Sequence, residues 1–543
     1  MASLNAIVHD IGLVLLVSVG LAAILAPLLL LRIRRSVTRM MRLRAQGGVS
    51  TVILPPVERA EASPLHLSSD AAPDEPSGEA ARALFARTRR ARRRAATVYF
   101  LAGVTAACVL AVADALAGNR SGLAPVALLL NHSWPAILTV SAVAVPSFRI
   151  KAIGLTVTVL VLISATWAMV ANPEDSFIAQ MGPPTLLLLL LANRWLKTIT
   201  LVLALWTVVA VGAFALSRAV FTSLDGTLAY VASLGTFLTL AALGMLVVRH
   251  LVRAYDRKEF SDLSFYLAFL WTVFSLWFVA TRGPSHIRWA GFIALVLYAV
   301  ITRFALPMLP RAAREHSPAN LLVLRVFGAP GRSQRLLEEV GTRWRYVGPL
   351  HLIAGTDSAI ANLDLSEAYG YLTFRFRSLY VSDLEDLDRR LAALDCAPDP
   401  DGRYRVNDFF CFADTWKKTF TNLLRLSDAV LIDLSGFGPQ NMGVAFELTH
   451  LLGVRPLESL VLITDERTDM EFLSATLARI WRQMNPALPN AKLEHPVLRV
   501  LHKPRSRNLV AALCDAAVAG GWRDKPGVRV AQGSSRFLRV LWG

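Results

Sequence analysis

The sequence predicts a protein in two parts. A multi-pass α-helical membrane region of about nine helices comes first. A C-terminal α/β domain follows, a doubly wound sheet of about five parallel strands. Three observations predict this. The 543 residues are 54% hydrophobic with a mean hydropathy of +0.46, too apolar for a soluble chain of this length. The excess lies before residue 310, in runs of about 20 apolar residues, enough to cross a bilayer. Beyond it, Val/Ile/Leu-rich stretches alternate with helical patterns, as in a parallel sheet covered on both faces.

The first run spans Ile11 to Leu31, and residues 1–32 form the first expected transmembrane helix. Its positive charge lies on the wrong side for a signal peptide. No Lys or Arg precedes it, while Arg32, Arg34, Arg35, Arg39, Arg42 and Arg44 follow. It reads as a retained helix with its N-terminus outside. Residues 33–95 read as a cytosolic, basic, disordered loop. Residues 45–81 within it are rich in Pro, Ala, Ser, Asp and Glu and carry no core pattern. The loop ends in the basic cluster TRRARRRAA at 88–96, a topology signal and a contact for anionic lipid.

Residues 96–310 are expected to form a bundle of about eight further helices, with apolar runs near 97–117, 124–146, 152–171, 183–193, 197–217, 226–248, 263–281 and 286–306. Alternating their ends collects Arg149, Lys151, Arg194, Lys197, Arg249, Arg253, Arg303 and Arg311 on one side. The other side holds only Arg120, Arg218, Arg282 and Arg288. By the positive-inside rule the first side is cytosolic, which places the C-terminal domain in the cytosol and the protein in the cell membrane. Ionisable residues inside the runs are few. Asp114 sits near an outer end and His132 in the third run, a scarcity that argues against ion-coupled transport.

Residues 311–525 form the expected cytosolic α/β domain and 526–543 a tail. Strands are expected at 320–328, 349–355, 429–436, 459–466 and 496–503, with a short irregular strand within 398–412. The order of elements suits a flavodoxin-like domain, which binds ligands at the carboxyl ends of its strands. The formal charge of +17 and pI near 10.2 follow from arginines at the ends of apolar runs, so nucleic acid is not an implied partner. Four scattered cysteines fit neither a disulfide framework nor a zinc site.

The chemistry concentrates in DAVLIDLSGFGPQNMGVAFELTH, 428–450: a buried strand, a Gly/Pro/Asn-rich loop, and a helix with Glu447 about one turn in. SDAVLIDLSG followed by PQNMGVAFELTHLL resembles a pattern of the nucleoside 2-deoxyribosyltransferase-like and bacterial Toll/interleukin-receptor-like (TIR-like) superfamily. The match covers about 25 residues and leaves out the membrane part; Thr449 replaces the small residue usual after Glu-Leu. The resemblance implies that Glu447 faces the sugar of a nucleoside or of NAD. There it acts on the N-glycosidic bond as nucleophile or as stabiliser of a cationic sugar. It implies that Asp433 contacts a ribose hydroxyl or caps the loop, and that Asn441, Gly436 and Gly438 shape the loop or bind ligand. As a residue near a helix N-terminus, Glu447 is expected to contribute only about 0.3–1 kcal/mol to stability.

Other candidates read more simply. GAPGRS (328–333) lacks the ending of a phosphate-binding Walker loop. Glu447 and His450 have a metal-ligand spacing but no second pair, so no metal is expected. Arg325, Arg343 and Arg345 suit phosphate or solvated ion pairs. His351 suits a core histidine, and Phe409, Phe410, Phe412 and Trp416 suit core packing.

The functional expectation is a membrane-bound sensor or effector whose soluble domain binds a nucleotide or nucleoside-like ligand; cleavage of an N-glycosidic bond is the sharper version of that reading. NAD or a nucleotide would be its ligand; the bilayer and anionic head groups at the arginine clusters would be its partners. Two alternatives stand beside it: a channel or transporter with a cytosolic regulatory domain, and a non-catalytic interaction domain that oligomerises. An open pocket beside Glu447 would favour the first reading and a filled one the interaction domain.

Overall fold

The computed structural model describes residues 64–68, 73–118, 124–137, 227–281, 285–309, 317–325, 332–354, 364–373 and 375–522, with a few single positions besides. They fall into two compact units. One comprises 1–32, 93–309 and 363–374; the other comprises 33–92, 310–362 and 375–543.

The first unit is helical. Helix α1 (Glu79–Ala117) is 39 residues long, and its part before residue 93 belongs to the second unit. Ala, Leu and Arg dominate its first half, all strong helix formers. α2 covers Ala124–His132, α3 Thr227–Asp256, α4 Asp262–Thr281 and α5 Ser285–Ala305. Ala102, Ala106, Leu110, Trp271, Phe274 and Tyr298 pack together as its core. Small residues on α1 permit close approach, as they do between helices in a bilayer. A Cβ added at Gly103 would lie 2.8 Å from that of Ala136 and 3.1 Å from the Trp271 ring.

Among the described residues, three helices are long and apolar enough to cross a membrane: α1, Leu234–Asp256 within α3, and Trp289–Met308. They coincide with the runs near 97–117, 226–248 and 286–306. The run near 263–281 is helix α4. The run near 124–146 does not form one helix. α2 ends at His132, and Pro135 has no N–H to continue the ladder. The runs near 152–171, 183–193 and 197–217, and nearly all of the first, lie outside the described residues, as does the 526–543 tail.

The second unit is a parallel sheet of eight strands, not about five. Its strands are β1 (His66–Ser68), β2 (Leu321–Arg325), β3 (Leu350–Ala354), β4 (Tyr380–Val381), β5 (Val406–Cys411), β6 (Ala429–Asp433), β7 (Leu460–Thr464) and β8 (Val497–His502), in the order β1-β8-β7-β6-β2-β3-β5-β4. The expected strands at 320–328, 349–355, 429–436, 459–466 and 496–503 are the contiguous set β3-β2-β6-β7-β8. β5 and β4 extend it at one edge and β1 at the other.

Helices cover both faces. They are α6 (Arg332–Trp344), α7 (Leu365–Leu372), α8 (Leu384–Ala392), α9 (Trp416–Leu426), α10 (Met442–Val454), α11 (Met470–Arg482) and α12 (Ser506–Ala519). α7 is the exception, because it belongs to the first unit and packs on α3. Alternate strand residues enter two cores. Leu322, Val430 and Leu462 face α9, α10 and α11; Val323, Leu431 and Ile463 face α6, α12 and the start of α1.

The disordered loop expected at 33–95 is corrected for residues 64–68 and 73–95. β1 pairs with β8 in parallel, His66 opposite Val497. The acidic stretch after it meets α12. Asn508 donates to Asp74 at 3.0 Å, Arg507 approaches Glu75 at 3.4 Å, and Ser77 N donates to Asp515 at 2.9 Å. The backbone edge of β8 and the positive end of α12 supply partners that local composition does not reveal.

Candidate functional site

β6 reads AVLID and is buried along its whole length, so the sheet fixes where it ends. Asp433 ends it, 3% exposed, and accepts a hydrogen bond from Ser435 N at 3.1 Å. Gly436 follows with φ +71°, a backbone state that favours glycine, and its N–H donates to Asp465 Oδ1 at 3.0 Å. Gly438 N donates to Asn441 Oδ1 at 3.0 Å, and Asn441 is the N-cap residue of α10. The loop is also tied to the one after β7: Thr468 Oγ1 donates to Leu434 O at 2.9 Å and Asp469 N to Phe437 O at 2.9 Å. Asp433, Gly436, Gly438 and Asn441 therefore build a rigid loop.

Glu447 is different. Val444, Leu448 and Leu451 on the same stripe of α10 are 3%, 0% and 0% exposed, so the helix presents Glu447 to the core. Glu447 is itself 3% exposed, and its Oε2 has no hydrogen-bond partner. Burial pushes its carboxyl from 4.5 up to about 8. At neutral pH the ligand-free side chain is mostly protonated, a donor in an apolar setting. A carboxyl buried this way is the environment that acid–base and glycosidic chemistry uses.

Placement within the sheet adds to this. β2 and β6 are neighbours, yet the chain leaves β2 toward β3 and β6 toward β7. Their carboxyl ends form the switch point where parallel sheets bind ligands. Arg325 and Asp433 are register partners on the last rung, and Arg325 is 8% exposed. Asp465, buried at the end of β7, was not singled out from the sequence. It accepts from Gly436 N and Arg467 N, and so organises the loop. Its position one residue beyond a Val/Ile/Leu strand is the signal that could have found it.

The remaining candidates resolve into structural roles. His351 Nδ1 and Nε2 lie 3.4 Å from Asn407 Nδ2 and 3.3 Å from Asn320 Oδ1, and burial lowers the ring to about 4. Asp428 accepts from Asn320 N at 2.7 Å, and burial raises it to about 6. Arg345 donates to Tyr404 O at 2.6 Å. Burial, and then Arg92 and Arg507, lower Arg343 to about 10. His450 turns Nδ1 to Phe446 O at 3.2 Å and packs on that ring at 4.2 Å. Among the described residues no group of three His, Cys, Asp or Glu is placed to hold a metal. Phe409, Phe410 and Phe412 are buried, whereas Trp416 joins Phe446 at 5.4 Å on another helix pair. GAPGRS lies almost wholly outside the described residues.

No known protein family matches the chain, and neither does any curated protein or solved structure.

Proposed function

We propose that the chain is a membrane-bound sensor or effector. Its doubly wound α/β unit binds a nucleotide or nucleoside-like ligand at the carboxyl ends of β2 and β6, and Glu447 acts there on an N-glycosidic bond. The observation that carries the reading is the buried Oε2 of Glu447 without a partner, in the helix that follows the switch-point loop. An unpaired carboxyl in a core is destabilising. A site for an electron-poor sugar gives it a use.

The chemistry follows from the protonation state. NAD carries a positive charge on its pyridinium-ribosyl group, and a cation beside a carboxyl favours the ionised form. Ligand binding therefore ionises Glu447, with its proton passing to solvent. The carboxylate then faces C1′ as the bond to the base nitrogen breaks and the base leaves with the electron pair. Stabilising the cationic sugar, or bonding to C1′ before water replaces it, are the two routes open to such a group. The resemblance in 428–450 supports this reading, as does an element order compatible with that superfamily.

Membrane placement belongs to the proposal as well. Arginine-rich ends put the C-terminal unit in the cytosol and the N-terminus outside, in a multi-pass bundle of about nine helices. Anionic head groups would meet the arginines at 88–96. The test of function is release of free base from NAD and from nucleosides by the full chain in detergent. Wild type should turn over, and Glu447→Gln should lose turnover by about a hundredfold or more. Equal rates would remove Glu447 from catalysis.

A second reading has its own observation. At 3% exposure Glu447 is covered, as expected of a non-catalytic interaction domain. Absence of turnover in the wild type, with self-association of the chain in detergent, would select it.

A further inference from the structure

The core of the helical unit holds polar atoms that the apolar pattern of its helices hides. Trp271 and Ser275 lie one turn apart on α4, and Tyr298 lies on α5. They are 0%, 1% and 1% exposed. The Trp271 and Tyr298 rings stack at 5.3 Å, and Phe274 lies 5.8 Å from Trp271. Trp271 Nε1, Ser275 Oγ and Tyr298 OH are buried without a hydrogen-bond partner among the described residues. Such atoms are costly in an apolar bundle, where no solvent stands by to pair them.

Other hydroxyls on the same helices behave differently. Thr105 on α1, Thr272 on α4 and Thr302 on α5 each donate to the carbonyl four residues earlier, at 2.8 Å. That bond is open to a serine on a helix, and Ser275 does not make it. Tyr99 on α1 pairs its hydroxyl with Ser264 Oγ, whereas Tyr298 has no such neighbour. An indole N–H can only donate, and each hydroxyl has one proton to place. Were both hydroxyl oxygens to accept from their neighbours in this cluster, one proton would still be left over. The approach of α1 limits the room. A Cβ at Gly103 would lie 3.1 Å from Trp271 Cζ2, on the N–H side of the indole.

We propose that Trp271, Ser275 and Tyr298 form a binding site, inside the helical unit, for a small uncharged molecule with a hydrogen-bond-accepting oxygen. That oxygen accepts from the indole N–H and from one hydroxyl. The three groups carry no formal charge and the side chains packed around them are apolar, so the site suits a neutral molecule. The close approach at Gly103 keeps it small. Water has this chemistry, and buried waters make about three hydrogen bonds to groups otherwise left without one. A carbonyl oxygen of a lipid-phase molecule has it too. The site is independent of Glu447 and of any activity there.

The experiment is NMR of the indole N–H groups, labelled with nitrogen-15, in the full chain in lipid nanodiscs. The Trp271 signal is assigned by its loss in Trp271→Phe, which keeps an aromatic ring. In wild type its proton should resonate downfield, as a hydrogen-bonded indole does, and show cross-peaks to protons that are not the protein's. A cross-peak to water identifies the oxygen as water's. A cross-peak to lipid protons, lost in perdeuterated lipid, identifies a lipid-phase carbonyl. Either result supports the site. Ser275→Ala and Tyr298→Phe each remove one hydroxyl, and each should shift the Trp271 signal. A wild-type Trp271 with the shift of an unbonded indole would overturn the proposal, as would cross-peaks to protein protons alone. So would a Trp271 signal unmoved in both hydroxyl variants, because the three groups would then share no ligand.

Discussion

Glu447 shares its stripe with Val444, Leu448 and Leu451, and its burial changes what a substitution there should do. The folded carboxyl is raised to about 8, against 4.5 for the exposed group. Between those values the folded chain holds a proton that the unfolded chain has released, so this group's contribution to stability falls as pH rises through the window. Glu447→Gln should therefore stabilise the chain by about 2–4 kcal/mol at pH 8 and leave it nearly unchanged at pH 4.5. Thermal or urea unfolding at the two pH values checks this. The small effect of about 0.3–1 kcal/mol expected from helix position alone gives way to a larger one because the core surrounds the residue. His351 works in the opposite sense. Its ring is lowered from 6.5 to about 4, so the unfolded chain binds the extra proton and stability falls as pH drops through that window. His351→Gln should flatten this acid limb by about 2 kcal/mol, read from unfolding midpoints between pH 4 and 7.

At the scale of elements, the strands that were legible are those buried on both faces. β2, β6 and β7 read as unbroken apolar runs because each feeds two cores. β4 and β1 are two and three residues long, too short for any period, and only the sheet edge to which each is added defines them. Glu447 was legible because a charge interrupts an apolar helix stripe just after a loop rich in Gly, Pro and Asn. The contact of His132 Nε2 on α2 with Asp114 Oδ2 on α1, at 3.1 Å, was not, because it joins two helices and no local pattern encodes it. Two element-level outcomes follow. Leu67, on β1, packs against the core beside β8. Leu67→Asp should cost about 1–3 kcal/mol, seen as a lower melting temperature of the full chain. Gly103→Val, at the close approach to Ala136 and Trp271, should cost a similar amount through overpacking and lower the yield of monodisperse protein in detergent.

For the whole molecule, the two units do not follow the simple division at residue 310 that composition suggests. Residues 33–92 belong with the sheet and 363–374 with the helices. A fragment starting at 310 would lack β1 and the part of α1 whose Ala81 and Leu84 enter the core with α6 and α12, so the full chain is the species to assay. Membrane topology is tested on it directly. Reporter fusions after residues 44 and 315 should be active only in the cytosol, and one after 176 only outside. The central claim is that Glu447 responds to a ligand, and calorimetry of NAD binding in two buffers of different ionisation enthalpy tests it most directly. Near pH 7 wild type should release close to one proton per NAD bound, and Glu447→Gln should bind NAD with no release. Proton release equal in both, or none in wild type, would contradict the account.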